Sequence, residues 1–143
     1  MKIKVAATQM SCTWKIEENI TKAKKLIYEA AKEGANIILL QELFQTPYFC
    51  IQYDEEIFKL AQTYENNNVL KEMSSLAKEL NVVLPISFFE KDNNAYFNSI
   101  AVINSDGNIL GKYRKSHIPD GAGYLEKYYF NPGNTGFEVW DTA

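Results

Sequence analysis

Apolar residues recur through two stretches of the chain at the spacing of a helix. From residue 16 the apolar positions follow steps of four and three: Ile16, Ile20, Ala23, Ile27 and Ala30. A second set has similar spacing: Val69, Met73, Leu76, Ala77 and Leu80. Because residues three and four apart share a helix face, these sets predict two amphipathic helices. Gly34 follows the first set and is typical of a helix end.

Three short apolar-rich runs alternate with these helices and indicate strands. They are "KIKVAATQ", "ANIILL" and "NVVLPISFF". Strands buried on both faces and separated by helices are usually parallel. Pro85 lies inside the third run and predicts a bulge or an edge position, because proline cannot donate to a ladder.

The pattern then changes to that of a β-hairpin. Apolar runs "NAYFNSIAVIN" and "ILGKYR" flank the turn "SDGN". The Asp106–Gly107 pair predicts a tight turn in which both residues take positive φ. The predicted order is therefore β-α-β-α-β followed by a hairpin, with no internal repeat and no linker.

The final stretch, "PGNTGFEVWDTA", predicts one more strand with no helix after it. A sheet that ended there would leave an apolar face and an edge uncovered. We therefore expect residues 1–143 to be one domain that is truncated at its C-terminal side.

Composition excludes several classes of protein. The 143 residues carry a net charge of −3, which argues against a nucleic-acid surface. No apolar run is long enough to predict a membrane span, and the N-terminus lacks the pattern of a signal peptide. Cys12 and Cys50 do not make a disulfide framework in a chain of this size. These features predict a cytoplasmic protein with reduced thiols.

Two residues at predicted strand ends could carry chemistry. Glu42 directly follows the strand "ANIILL", where open α/β sheets bind ligands. It is either a general base or a structural acid that caps a helix or forms a buried ion pair. Lys115 ends the hairpin's second strand and could donate to an oxyanion, although a solvated strand end has the same pattern.

The other candidates carry weaker signals. His117 is the only histidine, and with no paired cysteines it argues against a zinc site. Glu126 lies among aromatic residues, so it either borders a pocket or belongs to a polar face. Cys12 and Cys50 have no neighbouring pattern typical of a nucleophile.

Four stretches together resemble the nitrilase, or carbon–nitrogen hydrolase, superfamily. They are "VAATQM", "GANIILLQELFQTPYF", "YFNSIAVINSDGNILGKYRKSHIPD" and "YLEKYYFNPGNTGFEVWDT". The resemblance covers essentially the whole chain, and "SHIPDGAGYLEKYYF" resembles the N-carbamoylputrescine amidase branch most. It implies an α/β fold, the first half of an α-β-β-α sandwich, with a mixed sheet and helices on one face.

The resemblance also implies roles for individual residues. The family's glutamate base falls on Glu42, its lysine on Lys115 and its second glutamate on Glu126, with Arg114 and His117 as supporting residues. The family's nucleophilic cysteine stands in a C-W-D context after the "FEVWDT" strand. This sequence ends before that context, and neither cysteine present matches it.

The implied function is hydrolysis of N-carbamoylputrescine to putrescine, carbon dioxide and ammonia, in polyamine synthesis. No cofactor or metal is implied, the partner is a small ureido or amide substrate, and the complete protein is expected to be a homo-oligomer. Neither nucleic acid nor membrane is an expected partner. The alternatives are another ureido or amide substrate, such as ureidopropionate, and a truncated or split product without catalysis. We expect the isolated chain to be inactive.

Overall fold

The computed structural model describes residues 2–143, which form a mixed sheet with two long helices on one face. The strands are β1 (Val5–Ala7), β2 (Ile37–Leu39), β3 (Leu84–Asp92), β4 (Ala95–Ile103) and β5 (Ile109–Arg114). The helices are α1 (Ile16–Lys32), α2 (Asn68–Leu80) and the short α3 (Glu126–Tyr129). A 3-10 helix, Glu55–Leu60, follows Asp54, whose side chain caps it. None of the helices within residues 2–143 combines the length and apolar character needed to cross a bilayer.

The first two strands form the predicted parallel pair. Helix α1 connects them, and Val5 lies opposite Ile37 in the register. Glu17 and Glu18 occupy the first turn of α1, where the helix dipole favours negative charge. Gly34 follows the helix with φ +84°, as expected for a residue that ends a helix.

Strands β3, β4 and β5 form an antiparallel meander. The turn between β3 and β4 consists of Asn93 and Asn94, and Asn93 has φ +52°. In the turn between β4 and β5, Gly107 has φ +85° and its N–H donates to the Asn104 carbonyl at 2.9 Å. Asp106 does not take positive φ, so the prediction for that residue was wrong. The turn is longer than a two-residue one, and the β4–β5 pairing has a register shift at Val102/Ile103, just before the turn.

A short bridge joins the parallel pair to the meander. Val83 donates to the Asn36 carbonyl at 2.8 Å, and Ile38 donates to the Val83 carbonyl at 3.0 Å. The next bond of a parallel ladder would run from residue 85 to the Ile38 carbonyl. Pro85 has no N–H, so the ladder stops there and the ends of β2 and β3 part. Pro85, where the sequence predicts a bulge or an edge position, thus ends the pairing of β3 with β2. The pairing of β3 with β4 continues past it without a bulge, and Pro85 lies opposite Val102.

The main core lies between the helices and one face of the sheet. Its fully buried residues include Ile20, Ala23, Ile27, Ile38, Met73, Leu76, Ala77, Leu84, Ile86, Phe88, Ala101 and Ile103. Both predicted helical stripes contribute to it, because their spacing directs one face of each helix to the sheet. The predicted mixed sheet with helices on one face is confirmed.

The opposite face of the sheet lacks such a layer among the described residues. Val5 is 70% exposed and Leu39 44% exposed, although both are apolar strand residues. A second, largely aromatic cluster joins Phe89 of β3 to residues outside the strands. Its buried members include Leu43, Phe49, Ile57, Phe89, Tyr129 and Phe130.

The segment 131–143 runs beside β5 without forming the strand that its pattern predicts. Gly133 donates to the Lys115 carbonyl at 2.9 Å, but the next bond, from the Arg114 N–H, goes to the side-chain hydroxyl of Thr135. Phe137 and Val139 are exposed, although the Phe137 ring lies 6.1 Å from the Tyr113 ring of β5. The apolar alternation of a strand is present. However, the Thr135 hydroxyl accepts the hydrogen bond from Arg114 that a backbone carbonyl would accept in a β-ladder.

Candidate active site

Glu42 lies in the turn that follows β2, between two anchored neighbours. The Gln41 amide accepts from the Met10 N–H and donates to the Met10 carbonyl, both at 2.9 Å. The Leu43 N–H donates to Ser87 Oγ at 2.9 Å. Leu43 has φ +52°, which a branched apolar residue rarely adopts without support from its surroundings. These contacts hold the Glu42 backbone between β1 and β3.

Lys115 directly follows β5 and is held through its backbone on both sides. Its N–H donates to the Asn98 carbonyl at 2.8 Å, and its carbonyl accepts from Gly133. A Cβ atom on Gly133 would lie 2.0 Å from the Arg114 carbonyl oxygen, so only glycine fits this approach.

Glu126 begins α3 and is 2% exposed. The Tyr48 hydroxyl donates to its Oε1 at 2.6 Å. The preceding residue, Leu125, donates its N–H to the Cys50 carbonyl at 2.7 Å. Burial, followed by the hydrogen bond to Glu126, raises the pKa of the Tyr48 phenol, so Tyr48 remains the proton donor.

The three residues predicted from the resemblance meet around the Lys115 ammonium. Lys115 Nζ lies 3.3 Å from Glu42 Oε1, 3.1 Å from Glu126 Oε1 and 2.8 Å from Glu126 Oε2. Burial lowers the pKa of Lys115, but its bonds to Glu126 and Glu42 outweigh burial and raise it overall. The lysine is therefore a fixed cation between two carboxylates.

Asn98 and Tyr48 belong to this cluster, and sequence reasoning missed both. Asn98 Nδ2 donates to Glu42 Oε1 at 2.6 Å, and Asn98 is 5% exposed. The available signal was a polar residue between apolar positions in "YFNSIAVIN". Such a residue indicates a buried polar contact, but it does not indicate which partner it contacts.

Two cavities open on either side of the Glu42–Lys115 pair. One, of about 510 Å³, is lined by Glu42, Tyr48, Lys115, Pro119, Tyr124 and Glu126. The other, of about 290 Å³, lies on the uncovered face of the sheet, where Leu39, Ile100 and Tyr113 give it apolar walls. The pair is thus accessible from two directions.

Of the two predicted supporting residues, Arg114 is buried in an ion pair next to the site, whereas His117 is exposed and lies outside the cluster. The Arg114 guanidinium donates to both oxygens of buried Glu90, at 2.9 and 2.6 Å, and lies over the Phe97 ring at 3.9 Å. This pairing fixes the end of β5 next to Lys115. His117 is exposed beside Phe130, outside the cluster.

Neither cysteine has the character of a nucleophile. Burial, followed by the charge of Glu126, raises the pKa of the Cys50 thiol to about 12. Burial also raises the pKa of Cys12, whose Sγ contacts the Phe44 carbonyl at 3.2 Å. A thiol with a raised pKa carries little of the reactive thiolate. Within residues 2–143, no group of three or more His, Cys, Asp or Glu residues could hold a metal ion.

The fold and site define an α/β protein that places a lysine between two carboxylates at the carboxyl end of a strand. Comparison with protein families matches residues 4–143 to the carbon-nitrogen hydrolases. The chain belongs to the carbon–nitrogen hydrolase family.

Individual relatives agree with this membership. The N-carbamoylputrescine amidase of Solanum lycopersicum is 54% identical over 140 residues, which cover 98% of this chain and 47% of that protein. The citrullinase of Francisella tularensis subsp. tularensis is 52% identical over 140 residues, covering 98% of this chain and 49% of that protein. The crystal structure of a carbon-nitrogen hydrolase from Helicobacter pylori G27 matches with a TM-score of 0.87 and 37% identity, over 94% of this chain and 46% of that one. The chain spans about half the length of the curated relatives it matches.

Proposed function

We propose that this chain carries the base and the lysine of an amidase that hydrolyses a ureido compound, N-carbamoylputrescine first among them. One observation supports this most directly: the Lys115 ammonium contacts both Glu42 and Glu126 in the cluster that the resemblance predicts. We further propose that the nucleophile is a cysteine in the half of the relatives' length that this chain does not span.

The first step is formation of a covalent intermediate. Glu42 takes the proton of the thiol, and the thiolate attacks the ureido carbon, so that the carbonyl π electrons move to oxygen. Collapse of the tetrahedral intermediate breaks the bond to the terminal nitrogen, which leaves as ammonia with the proton from Glu42. The product is a thiocarbamate, R–NH–CO–S–Cys.

Lys115 stabilises the oxyanion of this step. Its three N–H groups already contact carboxylate oxygens, and the contact to Glu42, at 3.3 Å, is the longest. When Glu42 accepts the thiol proton, its negative charge disappears and that contact weakens. One ammonium donor is then free at the moment when charge develops on the substrate oxygen.

The second step returns the nucleophile. Glu42 takes a proton from water, which attacks the thiocarbamate carbon and displaces the thiolate. Glu42 then gives that proton to the thiolate. The released carbamic acid, R–NH–COOH, loses carbon dioxide and leaves the amine R–NH2. For N-carbamoylputrescine, that amine is putrescine and the overall reaction consumes one water.

Citrulline is the second candidate substrate, because the relative named citrullinase is nearly as similar as the one named N-carbamoylputrescine amidase. Both compounds carry a ureido group at one end of a short carbon chain. The other end is an ammonium in N-carbamoylputrescine, and in citrulline it is an ammonium with a carboxylate on the same carbon. Two acidic side chains and one lysine line the larger cavity, and this excess of acidic groups favours the ammonium that either compound carries at that end.

Ammonia release tests this proposal. The chain would be assayed alone and as a fusion, through Ala143, to the remaining half of the Solanum lycopersicum relative. Substrates would be N-carbamoylputrescine, citrulline, 3-ureidopropionate and a simple amide. We expect turnover only by the fusion, with N-carbamoylputrescine or citrulline preferred. In the fusion, Glu42→Gln and Lys115→Met should each reduce kcat by about 1,000-fold. Lys127→Met removes a neighbouring exposed lysine and is the control.

Turnover of ureidopropionate or simple amides in preference to both N-carbamoylputrescine and citrulline would overturn the substrate assignment. Turnover by the chain alone, lost in Glu42→Gln, would overturn the role given to a cysteine outside it. A homo-oligomeric state of the complete protein, a cytoplasmic location and a part in polyamine synthesis stay predictions that accompany the proposal.

A further inference from the structure

We propose that Asn98 is the positioning residue that sets the geometry of the Glu42–Lys115 pair and selects which oxygen of Glu42 acts as the base. This inference rests on the proposed function, because it concerns the base and lysine of the same reaction. It is carried by two hydrogen bonds of Asn98, one made by its backbone and one by its side chain.

The first bond is made by the backbone. Lys115 has just left β5, and its N–H donates to the Asn98 carbonyl at 2.8 Å. The second bond is made by the side chain, because Asn98 Nδ2 donates to Glu42 Oε1 at 2.6 Å. Asn98 itself lies inside β4 opposite Phe89, so its backbone is fixed by the meander. One residue therefore holds the lysine through its main chain and the glutamate through its amide.

The amide also distinguishes the two oxygens of Glu42. A carboxylate only accepts hydrogen bonds, so the group that faces Oε1 must be the NH2 of Asn98 rather than its oxygen. Lys115 Nζ donates to the same atom, at 3.3 Å. Two donors thus converge on Oε1. Oε2 is the oxygen that neither Asn98 nor Lys115 contacts, and we assign it the proton transfer.

This assignment has a chemical advantage. An oxygen that accepts two hydrogen bonds is a weaker base than an oxygen that accepts fewer, because the bonds stabilise its charge. With Oε1 bonded, the carboxylate can rotate little about its own axis, so Oε2 keeps a constant direction relative to Lys115. Placement of this kind matters because a displacement of about 1 Å in a reacting group can cost about 100-fold in rate.

The test uses three substitutions in the fusion described above. Asn98→Ala removes the amide but retains the backbone bond to Lys115. Asn98→Asp keeps the shape but replaces the donor by a second carboxylate. Asn67→Ala is the control, because Asn67 is also a buried asparagine that makes one side-chain bond, to Leu70 N–H at 3.1 Å, at the start of α2 away from the site.

We expect Asn98→Ala to lower kcat about 100-fold with little change in KM. In Asn98→Asp the acidic limb of the pH–rate profile should move to higher pH by about one unit or more, because two carboxylates in contact retain a proton that one would lose. Asn67→Ala should lower the urea midpoint and leave kcat and the limb unchanged. An acidic limb in the same place for Asn98→Asp as for the unsubstituted fusion would overturn the proposal.

A readout without turnover separates this proposal from the proposed function. In a crystal structure of the Asn98→Ala fusion, we expect the Glu42 carboxylate to leave Lys115 Nζ. If the fusion has no ureido-hydrolase activity but this contact is lost, the proposed function fails while the positioning role stands. If the contact persists unchanged in Asn98→Ala, the positioning role fails, whatever the activity.

Discussion

The Glu126 carboxylate is almost fully buried, and Tyr48 and Lys115 supply the hydrogen bonds that water cannot. A buried charge is stable only while such partners are present. The cluster is therefore a source of stability as well as chemistry, and removal of either partner affects both.

Tyr48→Phe tests this at the level of one hydroxyl group. The substitution leaves the ring in place and removes the donor to Glu126 Oε1. We expect the free energy of unfolding to fall by about 1.5–3 kcal/mol, the range for a hydrogen bond to a charged group. Tyr53→Phe, on an exposed ring, is the control. Equal urea midpoints for the two variants would contradict the role given to the Tyr48 hydroxyl.

Individual site residues differ in how far the sequence could predict them. Glu42 and Lys115 each follow a strand, so their place at the sheet end could be expected from the pattern, and the resemblance supplied their roles. Asn98 contacts a residue 56 positions earlier in the chain. Alternation in β4 can show which face a side chain occupies but not what lies opposite, so this contact required the structure.

At the scale of elements, the close approach of segment 131–143 to β5 depends on one glycine. In Gly133→Ala the new Cβ would overlap the Arg114 carbonyl, which lies next to Lys115. We expect a loss of about 1–3 kcal/mol in stability, as for other overpacked sites, together with a lower kcat in the fusion, because the end of β5 must move. Urea unfolding and ammonia release measure the two effects. A variant as stable and as active as the unsubstituted fusion would show that the backbone yields here without consequence.

The elements that local pattern specifies were predicted well, and those that depend on distant partners were not. Helices α1 and α2 follow from apolar spacing, since burial of one face suffices to place them. The turn between β3 and β4 lacks glycine and was missed, although Asn93 tolerates positive φ. The predicted last strand failed because strand pairing depends on a neighbour, and Thr135 offers Arg114 a side chain instead.

For the molecule as a whole, the buried charges predict stability that declines at both ends of the pH range. Burial raises the pKa of Glu90, but bonds from Arg114, Lys112 and Ser99 outweigh burial and lower it overall. Its contribution is present above the ordinary glutamate pKa of about 4.3 and is lost as pH falls through the lower folded value. The pKa of Lys115 is raised, so its contribution to stability depends on pH in the opposite direction. Its contribution is present below about pH 10.4 and is lost as pH rises through the higher folded value.

Urea midpoints measured across pH test both limbs. We expect Glu90→Gln to be less stable at neutral pH and to show a flatter acid limb than the unsubstituted protein. Glu29→Gln, at an exposed position, should leave the acid limb as it was. An acid limb of unchanged slope in Glu90→Gln would assign the acid sensitivity to other carboxylates.

The uncovered face of the sheet predicts the behaviour of the isolated chain in solution. Val5, Leu39, Phe137 and Val139 are exposed apolar residues on or beside the strands. Exposed apolar surface of this kind promotes association. We expect the 143-residue chain to sediment as a mixture of oligomers, and expect Val5→Thr with Val139→Thr to shift it towards the monomer. A monomeric parent chain with a sharp thermal transition would contradict this expectation.

Pro85 ends the hydrogen-bond ladder between β2 and β3, so the β1–β2 pair and the meander are joined by only a short bridge. The connections within these two parts differ in length, and this has a consequence for the order of folding. The meander closes through two short turns, whereas Val5 must find Ile37 across helix α1. Short loops close faster than long ones, so the meander should be protected first in a pulsed hydrogen-exchange experiment. Asn98 and Lys115 would then be joined early, with the meander. Glu42 would reach them later, when β2 pairs with β1.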